Sequence, residues 1–264
     1  VVVVGYGAKK RIHLTGAVET INMQEVEDLP LGSLSQIIRG QTVGVSTSGG
    51  FARPGEPATI TVRNPIYFSK DGGSKEPLYV IDDIIRNKTD FDLLDATEIE
   101  SMSILKDASA AIYGSSGANG VVLITTKRGR NQKLKINYTS SLTMSSAWKK
   151  MDVLNADQFK ALATEMGATT DWTKMTANTN WQNEIFRNAI SQNHQLSATG
   201  GNEKTTYYLS GSFNDQNGIV LNNSLQRTTL KANIDHQLMK ALKVGTSISY
   251  DSWKDIDVPE NDRN

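Results

Sequence analysis

The second half of the chain alternates strictly between apolar and polar residues, and this pattern constrains the fold more than any other feature. The first such segment has its apolar residues at every second position, namely Leu134, Ile136, Tyr138, Leu142 and Met144. The segments 207–213, 228–235 and 242–251 repeat the pattern, and 190–199 shows it more weakly. Since successive side chains of a β-strand point to opposite faces, the sequence predicts five strands of about ten residues, each with one apolar face.

Both a soluble antiparallel sheet and an outer-membrane β-barrel have strands of this kind. The connections separate the two. A long segment at 147–189 is followed by a short link near 200–204, a longer one at 214–225 and a short one near 237–240. Barrels of the outer membrane have short periplasmic turns and longer outer loops. The rhythm therefore favours a barrel, with residues 147–189 as an outer loop.

The first half of the chain has a different pattern. A helix is predicted over residues 33–39, and short strands are predicted at 43–48, 59–63, 78–81, 102–105 and 121–126, with Gly and Pro between them. We therefore predict two domains, an α+β domain at residues 1–130 and the strand-rich region at residues 131–264.

The segment from Lys106 to Lys127 is the most distinctive sequence motif in the first domain. Asp107 is predicted to cap a short helix that Gly114 ends, and residues 121–126 are predicted to form a buried strand. The segment resembles the end of the plug domain in TonB-dependent outer-membrane receptors of the SusC/RagA type, where Lys-Asp-Ala-Ser-Ala and Tyr-Gly-Ser-x-Gly-Ala-Asn-Gly-Val recur.

Three further segments resemble the same family. They are Val-Val-Val-Val-Gly-Tyr-Gly at 1–7 with Leu-Thr-Gly-Ala-Val at 14–18, Gly-Gln-Thr-Val-Gly-Val at 40–45, and Pro-Leu-Tyr-Val-Ile-Asp at 77–82. The chain departs from the family after its plug strand, where Arg-Gly is usual but Arg63 is followed by Asn64-Pro65, and at Asp83, where Gly is usual. The fold class implied is an α+β plug domain followed by antiparallel transmembrane β-barrel strands. Since plugged barrels have about 22 strands, the resemblance implies the N-terminal part of a larger protein.

The resemblance also implies a function. It implies TonB-dependent import of a large nutrient, an oligosaccharide or a peptide, with a SusD-like surface lipoprotein as partner. The location implied is the outer membrane of a Gram-negative bacterium of the Bacteroidetes kind, with outer-membrane lipid around the barrel. The alternative is a non-transporting β-rich binding or signalling module of the cell envelope.

Two sets of site residues follow from this resemblance. The apolar start of the chain is expected to contact TonB by adding a strand, unless it is simply the first strand of the plug; its residues are Val1, Val2, Val3, Val4 and Gly5. An aromatic and charged loop is expected to contact substrate, unless its rings pack the plug against the barrel wall; its residues are Tyr67, Phe68, Lys70 and Asp71.

The alternation also predicts which strand residues face lipid and which face the plug. The lipid-facing set includes Tyr138, Leu209, Leu230 and Ile248, and the opposite face includes Lys135, Lys231 and Lys243.

The composition argues against several other classes. The 28 Lys and Arg residues match the 28 Asp and Glu residues, which gives no electrostatic case for nucleic acid. The chain has no cysteine, its three histidines have no metal-ligand spacing, and the acidic residues near Asp82 lack the calcium-loop pattern. Neither a phosphate-binding loop nor a nucleophile elbow occurs. We therefore expect no enzyme, no catalytic residue, no metal and no cofactor.

Overall fold

The computed structural model describes residues 2–4, 7–9, 18–21, 23, 34–49, 53–63 and 76–258. The described strands are β1 (Val2–Val4), β2 (Gly7–Lys9), β3 (Val18–Ile21), β4 (Val45–Gly49), β5 (Ala58–Val62), β6 (Leu78–Ile81), β7 (Ile84–Arg86), β8 (Ile99–Leu105), β9 (Val121–Thr126), β10 (Lys135–Ser145), β11 (Ala189–Gly201), β12 (Thr205–Asn217), β13 (Ser224–Met239) and β14 (Leu242–Ile256). The helices are α1 (Leu34–Ile38), α2 (Lys88–Asp92), α3 (Ala156–Glu165) and α4 (Trp181–Ile185). Short 3₁₀ turns lie at Ala96–Glu98, Asp107–Ser109, Ala111–Gly117 and Trp172–Lys174.

The N-terminal sheet has the order β3-β8-β9-β6-β7. Its strands β6 and β9 contain continuous apolar runs, and from Val121 to Ile124 every residue is at most 2% exposed. Such runs are typical of strands that are buried on both faces. Helix α1 covers one face, where Ile37 and Ile38 pack with Ile60 of the separate β4–β5 hairpin.

The C-terminal sheet is a simple antiparallel meander, β10-β11-β12-β13-β14. Its outward face carries the residues that the alternation assigns to lipid. Tyr138, Leu209, Leu230 and Ile248 are 64%, 44%, 54% and 62% exposed. The inward face carries polar residues that are nevertheless buried, among them Ser210, Lys231, Asn233 and Asp235. The predicted alternation is therefore observed, and the inward faces of β12 and β13 are covered by the N-terminal region, meaning the described residues before 131.

The segment after Lys106 differs from its predicted α-helix. It forms two 3₁₀ turns, and Gly114 interrupts the second with φ +63° and ψ −148°. Asp107 does not cap the segment, because the chain enters it at Lys106 and Asp107 has a positive φ of 52°. Instead, Ser109 accepts a hydrogen bond from the backbone N–H of Lys106 and donates one to its carbonyl, at 2.9 and 2.6 Å.

The long connection between β10 and β11 contains helix α3, which begins with a capping box. The backbone N–H of Gln158 donates to Asn155 Oδ1 at 2.9 Å, and the Gln158 side chain accepts from the Asn155 backbone N–H at 3.0 Å. Phe159 makes an edge contact with Trp172, with ring centroids 6.2 Å apart. Among the described helices, none has the length and hydropathy needed to cross a membrane.

Candidate functional site: the interface between the N-terminal region and the C-terminal sheet

Strand β13 contacts the N-terminal region along most of its length. Because side chains alternate, the residues that face inward lie at every second position. The contacts come from Leu225, Arg227, Lys231, Asn233 and Asp235, which we call the β13 contact row. This row is the candidate functional site, since any movement of the N-terminal region must break it.

The centre of the row is a buried ion pair. Lys231 Nζ lies 3.6 Å from Glu98 Oε2, and the two side chains are only 5% and 2% exposed. The second carboxylate oxygen, Glu98 Oε1, accepts a hydrogen bond from Ser210 of β12 at 2.9 Å. Burial raises the pKa of Glu98, and the Lys231 ammonium and the Ser210 hydroxyl act in the opposite direction. The Glu98 carboxylate thus depends on Lys231 of β13 and Ser210 of β12 to compensate its charge.

A second ionic bridge lies near the C-terminal end of β13. Arg128 Nη1 lies 3.4 Å from Asp235 Oδ1, and Arg128 Nη2 lies 3.9 Å from Asp82 Oδ2. Lys243 of β14 lies 3.4 Å from the other oxygen of Asp235. Asp82 is itself fixed by Thr126, whose backbone N–H and hydroxyl donate to it at 2.9 and 2.6 Å. Asp82 and Arg128 thus connect the C-terminal ends of β6 and β9 to β13 of the C-terminal sheet.

Hydrogen bonds to backbone carbonyls complete the row. Arg227 Nη1 donates to the Asp92 and Leu93 carbonyls at 3.4 and 3.2 Å, at the end of α2. Asn233 Nδ2 donates to the Lys127 carbonyl at 2.9 Å. These hydrogen bonds join β13 to the end of α2 and to the segment after β9.

Two glycines of the N-terminal region lie close to the C-terminal sheet, Gly129 against its backbone and Gly55 against a side chain. A Cβ atom on Gly129 would lie 2.2 Å from the Tyr207 backbone nitrogen of β12. A Cβ atom on Gly55 would lie 3.1 Å from Leu225 Cδ2, at the other end of the contact row. The N-terminal region is therefore pressed against the sheet at both ends.

A polar cavity of about 430 Å³ lies beside the contact row, between the β6–β7 turn and the inward faces of β13 and β14. Its lining is charged and hydroxylated, and includes Asp82, Glu98, Arg128, Lys231, Ser247 and Asp251. A water-accessible space of this kind next to the ion pairs would ease their exchange.

The structure places the predicted site residues unevenly. Val2–Val4 form β1, which pairs antiparallel with β2, while Val1 and Gly5 lie outside the described residues. The predicted substrate loop, with Tyr67, Phe68, Lys70 and Asp71, also lies outside them. Lys231 and Lys243 face inward as expected, and Lys135 lines a second cavity with Arg130 and Tyr208.

Sequence reasoning missed Glu98, Asp82 and Arg128 as interface residues. The one available signal was Asp82 at the end of an apolar run, since an acid there must find a partner or water. Glu98 gave no such signal, because its partners are on strands far along the chain.

Comparisons with known proteins agree with this geometry. The family model described as TonB-dependent Receptor Plug Domain matches residues 10–121. The chain is 34% identical over 252 residues to TonB-dependent receptor P3 of Formosa agariphila, covering 94% of this chain and 24% of that protein. It is 36% identical over 244 residues to TonB-dependent receptor SusC of Bacteroides thetaiotaomicron, covering 89% of this chain and 24% of that protein. The chain thus spans about a quarter of the length of these relatives.

Solved structures show the same fold. The RagAB peptide importer in its open-open state matches with a TM-score of 0.87 at 23% identity, over 97% of this chain and 33% of that chain. The siderophore receptor PirA from Acinetobacter baumannii matches with a TM-score of 0.60 at 18% identity, over 89% of this chain and 31% of that chain. With the plug match, the polar inner face and the two named receptors in agreement, this chain belongs to the SusC/RagA-type TonB-dependent receptors of the outer membrane, and carries their plug domain and barrel strands.

Proposed function

We propose that the protein containing this chain imports a large nutrient across the outer membrane, driven by TonB. The observation that carries the proposal is the reversed polarity of the C-terminal sheet. Its outward face is apolar and exposed, whereas its inward face holds the N-terminal region through the polar β13 contact row. A wall of this kind suits a lipid exterior and a plugged, wet interior.

A plug held by ion pairs and hydrogen bonds needs an energy source to move it. The buried Glu98–Lys231 pair and the Arg128–Asp235 bridge must separate, or move with their partners, before a path opens. The outer membrane has no ATP, so the energy must reach the plug from the inner membrane. TonB, pulling from the periplasm, supplies it in this proposal.

The N-terminal strand is the proposed contact for TonB. Among the described strands, β1 pairs with β2 alone, through Val2 with Lys9 and Val4 with Gly7. Its second edge can accept a strand of TonB through backbone hydrogen bonds. The proposed contact comprises Val1, Val2, Val3, Val4 and Gly5.

We further propose a SusD-like lipoprotein as the outer partner and an oligosaccharide or peptide as cargo. The likeness to SusC supports this pairing. The cargo would meet the loop that contains Tyr67, Phe68, Lys70 and Asp71, where rings can stack and charged groups can form hydrogen bonds. Alanine at Tyr67 and Phe68 should weaken ligand binding while the plug stays folded; unchanged affinity in the folded fraction would remove the loop from the site.

The TonB contact is tested by Val2→Pro in the whole receptor. Proline removes a backbone donor and resists strand pairing, so TonB binding and import should both fall at least tenfold. Val2→Thr is the matched control, since threonine keeps the N–H and the β-branched shape. Import at the wild-type rate by a normally expressed Val2→Pro receptor would show that TonB engages another segment.

A further inference from the structure

The Lys-Asp-Ala-Ser motif that begins at Lys106 has no part in the β13 contact row, yet it holds a buried charge. Lys106 directly follows β8 and is 5% exposed. Its ammonium lies 2.5 Å from Glu19 Oε2 and also donates to the Val43 carbonyl. Glu19 Oε1 in turn accepts the Val43 backbone N–H at 3.2 Å. Three separate segments thus meet at one ammonium group.

The position of this cluster on the sheet is informative. Glu19 is on β3, which is an edge strand of the N-terminal sheet with four residue pairs to β8. The first pair, Val18 with Leu105, lies beside the ion pair. The cluster therefore holds the N-terminal end of β3, which is the end nearer to β1 and β2 along the chain. Tension applied through β1 reaches β3 at this end.

The remaining polar residues of the motif hold Lys106 in place. Ser109 makes hydrogen bonds to both backbone groups of Lys106. Asp107 lies 2.7 Å from Arg63 Nη1, at the end of β5. The turn after β8 is thereby tied to its neighbours, so the ammonium is held against Glu19 by a fixed backbone.

The rest of the N-terminal region is anchored differently. Its described ion pairs with the C-terminal region come from Arg53, Glu98 and Arg128, of which Glu98 lies just before β8 and Arg128 just after β9. Tension from the N-terminal side therefore acts first on the Lys106–Glu19 pair at the sheet edge, while β8 and β9 are held by the C-terminal sheet.

We propose that Lys106 and Glu19 form a latch that keeps β3 on the N-terminal sheet and opens under tension from the N-terminal side. The latch rests on the proposed function, because TonB is what supplies the tension. Breaking it frees the β3 edge without disturbing the β13 contact row. Lys106 and Glu19 are positioning residues in this scheme.

Hydrogen exchange in the whole receptor, reconstituted in lipid nanodiscs, tests the latch without force. Glu19→Gln leaves the Lys106 ammonium buried without its carboxylate partner, so the β3 amides should exchange about 100-fold faster. Lys106→Met should have a smaller effect, because the Glu19 side chain is 30% exposed and can be hydrated. The double variant should protect β3 better than Glu19→Gln alone, since it leaves no unpaired buried charge. The control is Glu100→Gln on β8, which removes an exposed ion pair with Arg130. In this variant the β3 amides should exchange as in the wild type.

Pulling experiments on single receptors test the response to tension. A handle at Ala8→Cys in a cysteine-free receptor applies force without TonB, and Lys106→Met should lower the force of the first rupture while later ruptures stay unchanged. Wild-type exchange of β3 in Glu19→Gln, loss of protection that spreads equally to β9, or an unchanged first rupture would each overturn the latch. Failure of the TonB proposal is seen separately, as normal import by Val2→Pro.

Discussion

The two sheets of this chain bury opposite kinds of residue. In the N-terminal sheet the buried residues are aliphatic, as in β9, where Val121 and Val122 are fully buried. In the C-terminal sheet most buried residues are polar, such as Asn233 at 1% exposure, while many aliphatic residues are exposed, such as Ile248 at 62%. The N-terminal sheet excludes water by its own packing, whereas the C-terminal sheet uses its aliphatic residues outward and covers its polar face with protein.

This difference means that the two regions fail in different ways. A cavity or a charge inside the N-terminal sheet disrupts the hydrophobic packing that holds it together. On the inward face of the C-terminal sheet, disruption follows instead from a charge that loses its partner. The interface between them is therefore sensitive to single polar substitutions that would be mild on an ordinary surface.

The largest effect is expected at the buried ion pair. Lys231→Met should leave Glu98 uncompensated and destabilise the docked N-terminal region by about 3–5 kcal/mol. The urea midpoint for unfolding of this region in the detergent-solubilised receptor measures the change. Adding Glu98→Gln to Lys231→Met should recover a large part of the loss. A double variant that is as unstable as Lys231→Met would show that lost packing, and not unpaired charge, is the cause.

A charge on the outward face should have the next largest effect. Ile248→Arg places a cation against lipid and should cost about 2–4 kcal/mol near the membrane midplane. Ser247→Arg is the matched control, because Ser247 lines the polar cavity and an arginine there has acidic neighbours. The yield of folded, heat-modifiable receptor in outer membranes measures both. Equal yields would mean that the outward face is not in lipid.

The smallest effect is expected in the β6–β7 turn of the N-terminal sheet. Asp82 and Asp83 both have positive φ, 48° and 67°, between the paired residues Ile81 and Ile84. Asp83→Gly should stabilise this turn by about 0.5–1 kcal/mol, because glycine adopts this conformation without strain. Asp82→Gly should destabilise it, since the hydrogen bonds to Thr126 are lost. The same urea midpoint reports both, and a stabilising Asp82→Gly would contradict the assignment.

Most strands of the two sheets could be predicted from the sequence because their patterns are local, whereas the short edge strands β3 and β7 were not predicted. Leu78–Ile81 and Val121–Thr126 were predicted with the observed bounds, since a short apolar run between turn residues has few alternatives. The alternation in β10–β14 also identified the outward face. These predictions needed only periodicity.

The turn after Lys106 and the β13 contact row needed tertiary information. Residues 108–113 have acceptable helix propensity, but the chain breaks at Gly114 and packs as 3₁₀ turns between β8 and β9, which propensity does not encode. The pairing of Glu98 with Lys231 depends on how the N-terminal region docks, and no spacing in the sequence reveals that. Lys106 illustrates the same limit, since its partners Glu19 and Val43 come from two distant segments.

The place of the contact row on the fourth strand of the C-terminal sheet bears on the order of assembly. The N-terminal region precedes these strands in the chain, and β13 follows its neighbour β12 after residues 218–223. A meander grows by adding neighbouring strands, with little loop-closure entropy at each step. The Asp235 and Lys231 partners are thus in place once four strands have paired, so the N-terminal region can dock on an open, partly built sheet.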